Sequence, residues 1–573
     1  MGFTLEGIAG DAKLADIVYA RMEQQDVLAR LAEFLKAFEA AKGAEIAKVY
    51  DEYITYTQLL DFCYALCYIR YTLNTADEFY AAEMQYWDSV SPTLSDKRLE
   101  ISKIILAKKK LFGKALPAKI FADIEINLKT MSPEILEEMK KVNELTTEYS
   151  TLMSQLKVMW VDEAGLESEI PVTKLRKFFM DDNRDIRRKA YTAYGALLQT
   201  IAPKLDETFE QLAKLRDTQA KKLGLKNYVQ LGYLRMHRNS YTEKDVAKFR
   251  AAVVKHLVPV VAKLYEKTGK ELGIDKRFIY DTDIFLQQTP KPVGDEKQIL
   301  AAAETMYNDL SSDTKELYEI FKKWDSFDVL SRVGKMPGGY FYGLAALNLP
   351  FIFANFNGSS ADIDVLTHEF GHAMAFYLSG KAGNPHALRR NTMETQEVHS
   401  MAMEFLCYDY MDRFFGAEAD RYKFYHLASA IGFIPYGVAV DEFQHILYEK
   451  PNLTPSERNA EWLKLEAKYR PHLSNEGVPH FESGGRWQYQ AHIYSSPFYY
   501  IDYTLAQIIA LQFDMLQEKD SKKAWQTYVE FCSKGGTKTY LELVKEAGMK
   551  SPFCEKTIKM VADHVAKKLM LNV

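Results

Sequence analysis

The stretch Thr367-His368-Glu369-Phe370-Gly371-His372-Ala373 constrains the fold of this chain more than any other. Ile363, Leu366, Phe370, Met374 and Tyr377 recur around it at three- and four-residue spacing, which predicts a buried helix over about residues 360–379. Turn residues and hydroxyl N-cap candidates in Asn357–Asp362 precede it. Ser359 and Asp362 have the spacing of a capping box, and Gly380 reads as the stop. On such a helix, residues four apart lie one above the other. His368 and His372 can therefore both reach one metal ion, and Glu369, within a turn of both, can meet a water on that metal.

This is the H-E-x-x-H pattern, in which two histidines bind zinc and the glutamate is the general base of a metallopeptidase. A catalytic zinc wants a third protein ligand and an open position. The longer pattern that places a histidine six residues after the second one is absent, because Ala375 and Leu378 hold its glycine and histidine positions. The next helical segment offers Glu394, Glu397, His399 and Glu404, and spacing alone does not choose among them. Glu397 and Glu404 are two turns apart on one face, so one can ligate while the other supports the site from behind.

The rest of the sequence narrows the setting. A chain of 573 residues, 47% hydrophobic, can bury a large core and divide into more than one lobe. Its net charge is -5, with no basic block suited to nucleic acid, and the Lys108-Lys109-Lys110 triplet reads as a solvated helix face. No apolar run is long enough to cross a membrane, and Met1–Glu6 has neither a secretory signal nor a full myristoylation pattern. Five cysteines, odd in number and not in zinc-site pairs, read as reduced thiols in a cytoplasmic protein.

Helical periodicity dominates to about residue 270, in segments such as Asp11–Lys42, Pro133–Leu156 and Asp206–Leu223. Asp182–Ala190 reads as a capped helix start followed by a solvated basic face. Between about 275 and 358 the pattern turns to short strands and loops around a helical stretch, Asp295–Trp324. Pro350–Phe356 reads as a strand leading into the histidine helix. It is either an ordinary structural strand or one whose free edge pairs with an extended peptide. Helices resume at Thr392–Phe415 and run to about 470, Pro471–Gly485 reads as a mobile connection, and 486–571 is helical again.

His368-Glu369-Phe370-Gly371-His372, followed 25 positions on by Glu397-Val398-His399-Ser400-Met401-Ala402-Met403-Glu404, resembles the thimet oligopeptidase/oligoendopeptidase F family of zinc metallopeptidases. Within it, short bacterial oligopeptidases such as the Pz-peptidases are most similar. Gly334–Tyr340, Asn355–Gly358 and Arg486–Tyr503 carry the likeness further, over roughly residues 180–571. Some family members have a histidine where this chain has Ala375. The resemblance implies that Glu397 is the third zinc ligand, with Glu404 nearby. It also implies that a histidine and tyrosines near the C-terminus bind substrate backbone and stabilise the oxyanion. His492, Tyr500 and Tyr503 match best, with Tyr494 and Tyr499 as alternatives because the spacing departs from thimet oligopeptidase.

These readings give a mainly α zincin with a small β-sheet beside the metal helix. By resemblance, two helical lobes surround a deep substrate channel. Residues 1–180 form an N-terminal helical region and 181–573 the catalytic domain. The expected activity is zinc-dependent endopeptidase action on short unstructured oligopeptides, with one Zn2+ per chain held by His368, His372 and Glu397, and with Glu369 as base. The alternatives are an exopeptidase of the same family, for which Arg389-Arg390 is a weak carboxylate anchor, and an inactive peptide-binding protein. His386 and His480, in glycine- or proline-bearing loops, are minor candidates for substrate contact.

Overall fold

The computed structural model describes residues 12–162 and 165–571. The reading of Met1–Glu6, and Asp11 at the start of the first expected helix, fall outside them. The chain divides into two compact units that interleave along the sequence. The first comprises Met1–Leu128, Pro290–Ala419 and Phe513–Gly548; the second comprises Lys129–Thr289, Asp420–Gln512 and Met549–Val573.

In the first unit, helices Gln24–Ala40, Glu45–Leu73 and Glu78–Ala107 bury Leu31, Phe34, Phe38, Leu66 and Trp87. Their core continues into a three-stranded sheet through Leu344, Leu349, Phe351 and Phe353. Leu349–Phe356 is the central strand, parallel to Phe327–Leu330 on one side and antiparallel to Tyr340–Leu344 on the other. Seven of its eight residues, all but Asn355, are buried, as expected of a strand covered on both faces. Of the two readings of this strand, the free-edge one is corrected: both its edges are paired, and the edge strands are Phe327–Leu330 and Tyr340–Leu344.

The central strand leads into the histidine helix, Ala361–Lys381. The expected Ser359/Asp362 capping box does not form. The Asp362 carboxylate instead accepts from the backbone N–H groups of Asn357 and Gly358, at 3.0 and 2.7 Å, and so ties the preceding turn to the first helical turn. Gly380 lies inside the helix rather than ending it, and the left-handed residue that follows is Gly383, with φ +74°. The stretch Asp295–Trp324 is two helices, Glu296–Leu310 and Ser312–Trp324, because Ser311 turns extended and its hydroxyl caps the second one by accepting from the Thr314 N–H.

The second unit is built on a 39-residue helix, Arg184–Lys222, capped by Asn183, together with a small antiparallel hairpin of Lys157–Val161 and Glu167–Pro171. The basic start of that helix is only in part a solvated face: Arg188 and Lys189 are exposed, but two arginines turn to a buried carboxylate. Arg187 is 2% exposed and donates to Asp281 at 2.9 Å, and Arg184 reaches the same carboxylate at 2.7 Å. The segment expected to be a mobile connection, Pro471–Gly485, is held by hydrogen bonds from the Ser474 N–H to the Arg277 carbonyl and from Thr192 Oγ1 to the Gly477 carbonyl. Among the described residues no helix is long and apolar enough to cross a membrane.

Candidate metal centre and catalytic residues

The metal-site geometry starts with a glycine. A Cβ on Gly371 would lie 2.5 Å from the His399 carbonyl oxygen and 2.8 Å from Ser400 Cα, so only glycine lets the histidine helix approach helix Met393–Leu406 this closely. Phe370, one residue earlier, stacks on Tyr307 with centroids 3.6 Å apart and fixes the helix from the opposite side. Tyr528 Oη donates to the His399 carbonyl at 2.8 Å and pins the second helix at the same level.

This packing brings three side chains to one point. The ligand atoms of His368, His372 and Glu397 all lie within 4.8 Å of one another. Glu397 Oε2 is 3.3 Å from His368 Nε2 and 3.8 Å from His372 Nε2. The two imidazole rings stand 5.0 Å apart at 85°. His368 Nδ1 bonds Glu404 Oε1 at 2.7 Å; a carboxylate only accepts, so Nδ1 carries the proton there. Ser400 Oγ donates to Glu397 Oε2 at 3.1 Å. Of the four side chains that the sequence left open, Glu397 joins the histidines and Glu404 stands behind one of them. His399 instead packs edge-on against Phe531, and Glu394 is buried outside the trio.

The charges suit a cation. Burial weighs against protonating His368, yet its bonds to Glu397 and Glu404 hold its pKa well above the ordinary imidazole value. Burial pushes His372 down to about 4, so its ring is neutral at pH 7. Two imidazoles and a carboxylate converging in a buried place form a donor set that fits a divalent transition ion. Glu369, 7% exposed, is pushed up to about 7, first by burial and then by the nearby Glu397 carboxylate. The neighbouring His368 and the backbone N–H of Phe341 on the edge strand act the other way.

In the second unit, His492, Tyr499, Tyr500 and Tyr503 form one cluster. The His492 ring lies 4.9 Å from that of Tyr500 and 6.3 Å from that of Tyr503. Gln490 Nε2 bonds His492 Nδ1 at 2.8 Å, and Tyr503 Oη donates to Tyr499 Oη at 3.1 Å. Burial lowers the pKa of His492 and raises that of Tyr500. Tyr494, an alternative on sequence grounds, stacks between Tyr149 and Trp487 in the core and is removed from the candidates. His480 is likewise buried, against Gly485, and is a packing residue. Sequence reasoning missed Ser400, Tyr528 and the Phe341 N–H, because each acts through a contact between segments distant in the chain or through the backbone.

Comparison with known proteins places this arrangement. The sequence pattern of peptidase family M3 matches residues 178–562, and that of a peptidase M3 N-terminal domain matches residues 14–131. The chain belongs to peptidase family M3. Membership sets it among peptide-bond hydrolases. It is similar to oligopeptidase PepF of Bacillus subtilis, 26% identical over 68% of this chain and 57% of that one, so the likeness spans little more than half of that relative. It is also similar to an oligoendopeptidase F homolog of Borreliella burgdorferi, 23% identical over 82% of this chain and 76% of that one. Among solved structures, Pz peptidase A with an inhibitor is 38% identical over 97% of this chain and 99% of its own, with a TM-score of 0.90. The M3 fold is thus shared across nearly the whole chain.

Proposed function

We propose that this M3 peptidase is a zinc-dependent endopeptidase of short, unstructured oligopeptides, acting in the cytoplasm. The observation that carries the reading is the meeting of His368, His372 and Glu397 beside the buried acid Glu369. His368 and His372 through Nε2, and Glu397 through Oε2, would hold the zinc. When bound, the ion supplies Lewis-acid activation of water and of the substrate carbonyl. Glu369 takes the proton of the attacking water and gives it to the leaving amine. With a pKa near neutrality it can do both, and a nearby cation shifts it toward the accepting carboxylate. Glu404 keeps the proton of His368 on Nδ1, which leaves Nε2 free as a donor.

We assign His492, Tyr500 and Tyr503 to holding the substrate backbone and stabilising the oxyanion, with Tyr499 as the alternative phenol. This assignment rests on the family resemblance and on their clustering in the second unit. Catalysis falls to residues 181–573. The names of the relatives, an oligopeptidase and an oligoendopeptidase F homolog, support short peptides as substrates and internal cleavage. Four buried thiols and one exposed one, all free, accord with a reducing compartment.

The test is cleavage of an internally quenched peptide blocked at both termini, with products mapped by mass spectrometry and bound metal quantified. Internal cleavage that stops on chelation and returns with zinc is the expected result. Cleavage only of peptides with a free terminus would replace the endopeptidase reading with an exopeptidase one. Bound zinc without cleavage of either would leave a peptide-binding protein.

A further inference from the structure

A cavity of about 500 Å3 opens beside His372, entirely within the first unit. Its lining includes three arginines, Arg98, Arg389 and Arg390, against one carboxylate, Asp61. Three positive charges and one negative leave a net of +2 with the histidines neutral. Asp61 is already engaged, accepting from Arg98 at 3.0 Å. Among the described residues Arg389 donates to neutral oxygens, the Asn384 carbonyl at 3.1 Å and Asn348 Oδ1 at 3.4 Å. Arg390 is exposed, and among the described residues no carboxylate pairs with it. Two ring nitrogens of lining residues, His386 Nδ1 and His399 Nε2, are buried without a hydrogen-bond partner among the described residues, and His399 is 1% exposed. Buried polar atoms are ordinarily satisfied, so both nitrogens can take a polar partner from the cavity they line.

The loop that carries His386, Arg389 and Arg390 is fixed in place. Asn384 Nδ2 donates to Ser379 Oγ at 2.9 Å and to the Ser533 carbonyl at 2.7 Å. Gly535, at φ +51°, and Gly536 lie so close beneath it that a Cβ on Gly536 would overlap the Arg390 carbonyl oxygen. An exposed guanidinium on a braced loop, lining a cavity that is also lined by a candidate metal ligand, is arranged to receive an anion.

We infer that this cavity is a subsite for a carboxylate of the bound peptide, received by Arg390 with Arg389 behind it. The inference deepens the peptidase reading and rests on it. Guanidinium binds carboxylate through two parallel N–H bonds, and because His372 lines the same cavity that group would sit on the same side of the site as the cleaved bond. The carboxylate can come from an acidic side chain or from the peptide's C-terminus.

The experiment measures Kd for paired peptides on zinc-loaded Glu369→Gln protein, with and without Arg390→Ala, Arg390→Lys or Arg389→Gln. One arm pairs Glu with Gln at each position flanking the cleaved bond, both termini blocked. The other pairs a free with an amidated C-terminus. We expect one arm to show about tenfold tighter binding of the carboxylate twin, a size typical of a charge-assisted bond. That preference should collapse in Arg390→Ala and return in part in Arg390→Lys. Equal binding of the twins in both arms would overturn the inference, as would a preference that survives both Arg390→Ala and Arg389→Gln. Cleavage of a neutral blocked peptide by wild type, run alongside, separates the two failures. Cleavage without preference sinks the subsite alone, whereas preference without cleavage keeps the subsite and sinks the endopeptidase reading.

Discussion

Glu404 Oε1 accepts a hydrogen bond from His368 Nδ1 at 2.7 Å, from the same helix that carries Glu397 two turns earlier. One helix thus supplies both a candidate ligand and the group that orients the ligand opposite. Replacing Glu404 by Gln keeps the size but removes the charge that strengthens this bond. We expect metal affinity or activity to fall by about 10- to 100-fold. Competition with a chromogenic chelator reads the affinity directly. An unchanged affinity together with unchanged turnover would remove Glu404 from the site.

Glu369 is assigned proton transfer and not metal binding, so Glu369→Gln should separate the two. Bound zinc should stay near one per chain while turnover falls by about 10^2- to 10^4-fold. Metal analysis and steady-state kinetics on the same preparation decide it. A variant that loses its metal would make Glu369 a ligand or a structural support instead.

Gly371 sets the separation of the two helices. Adding one methyl group in Gly371→Ala pushes against the His399 carbonyl and Ser400, at a cost of about 1–3 kcal/mol typical of overpacking. The Tm should fall, and bound zinc should fall with it because Glu397 moves away from the histidines. A variant with lowered Tm but full metal content would separate the packing of this helix pair from the ligand geometry.

Asp281 is fully buried under Arg184 and Arg187. Burial alone would raise its pKa, but the bonds from Arg184, the Phe278 N–H and Arg187 hold it below the usual carboxylate value. A carboxyl whose folded pKa is depressed contributes stability that is present above its unfolded value, near about 3.9, and is lost as pH falls through the folded value. Asp281→Asn strands the buried Arg187 charge and should cost about 3–5 kcal/mol at neutral pH. Urea titrations across a pH series would also show a shallower loss of stability below about pH 4 than in wild type. An identical acid limb in both proteins would mean that Asp281 does not drive that loss.

The sequence alone carried the histidine helix, because a buried helix, two candidate ligands and a candidate base are all written at one period within seven residues, Thr367–Ala373. It also carried the helical character of most of the chain and the strand before the motif, since periodicity is a local property. Spacing alone did not separate Glu397 from Glu394, His399 and Glu404, which all lie within three turns; the family resemblance pointed to Glu397, and the close packing permitted by Gly371 gives the physical reason that it faces the histidines. Pairing partners likewise lie outside local pattern. The strand whose edge the sequence left open is central and paired on both sides, and the arginine expected in solvent is buried on Asp281, 94 positions away. Tyr494 and Tyr499 look alike in the sequence, yet one is clamped between aromatic rings and the other joins the His492 cluster. A sequence states which groups are available at each position; which of them meet is set by how distant segments pack, and that information exists only in the folded chain.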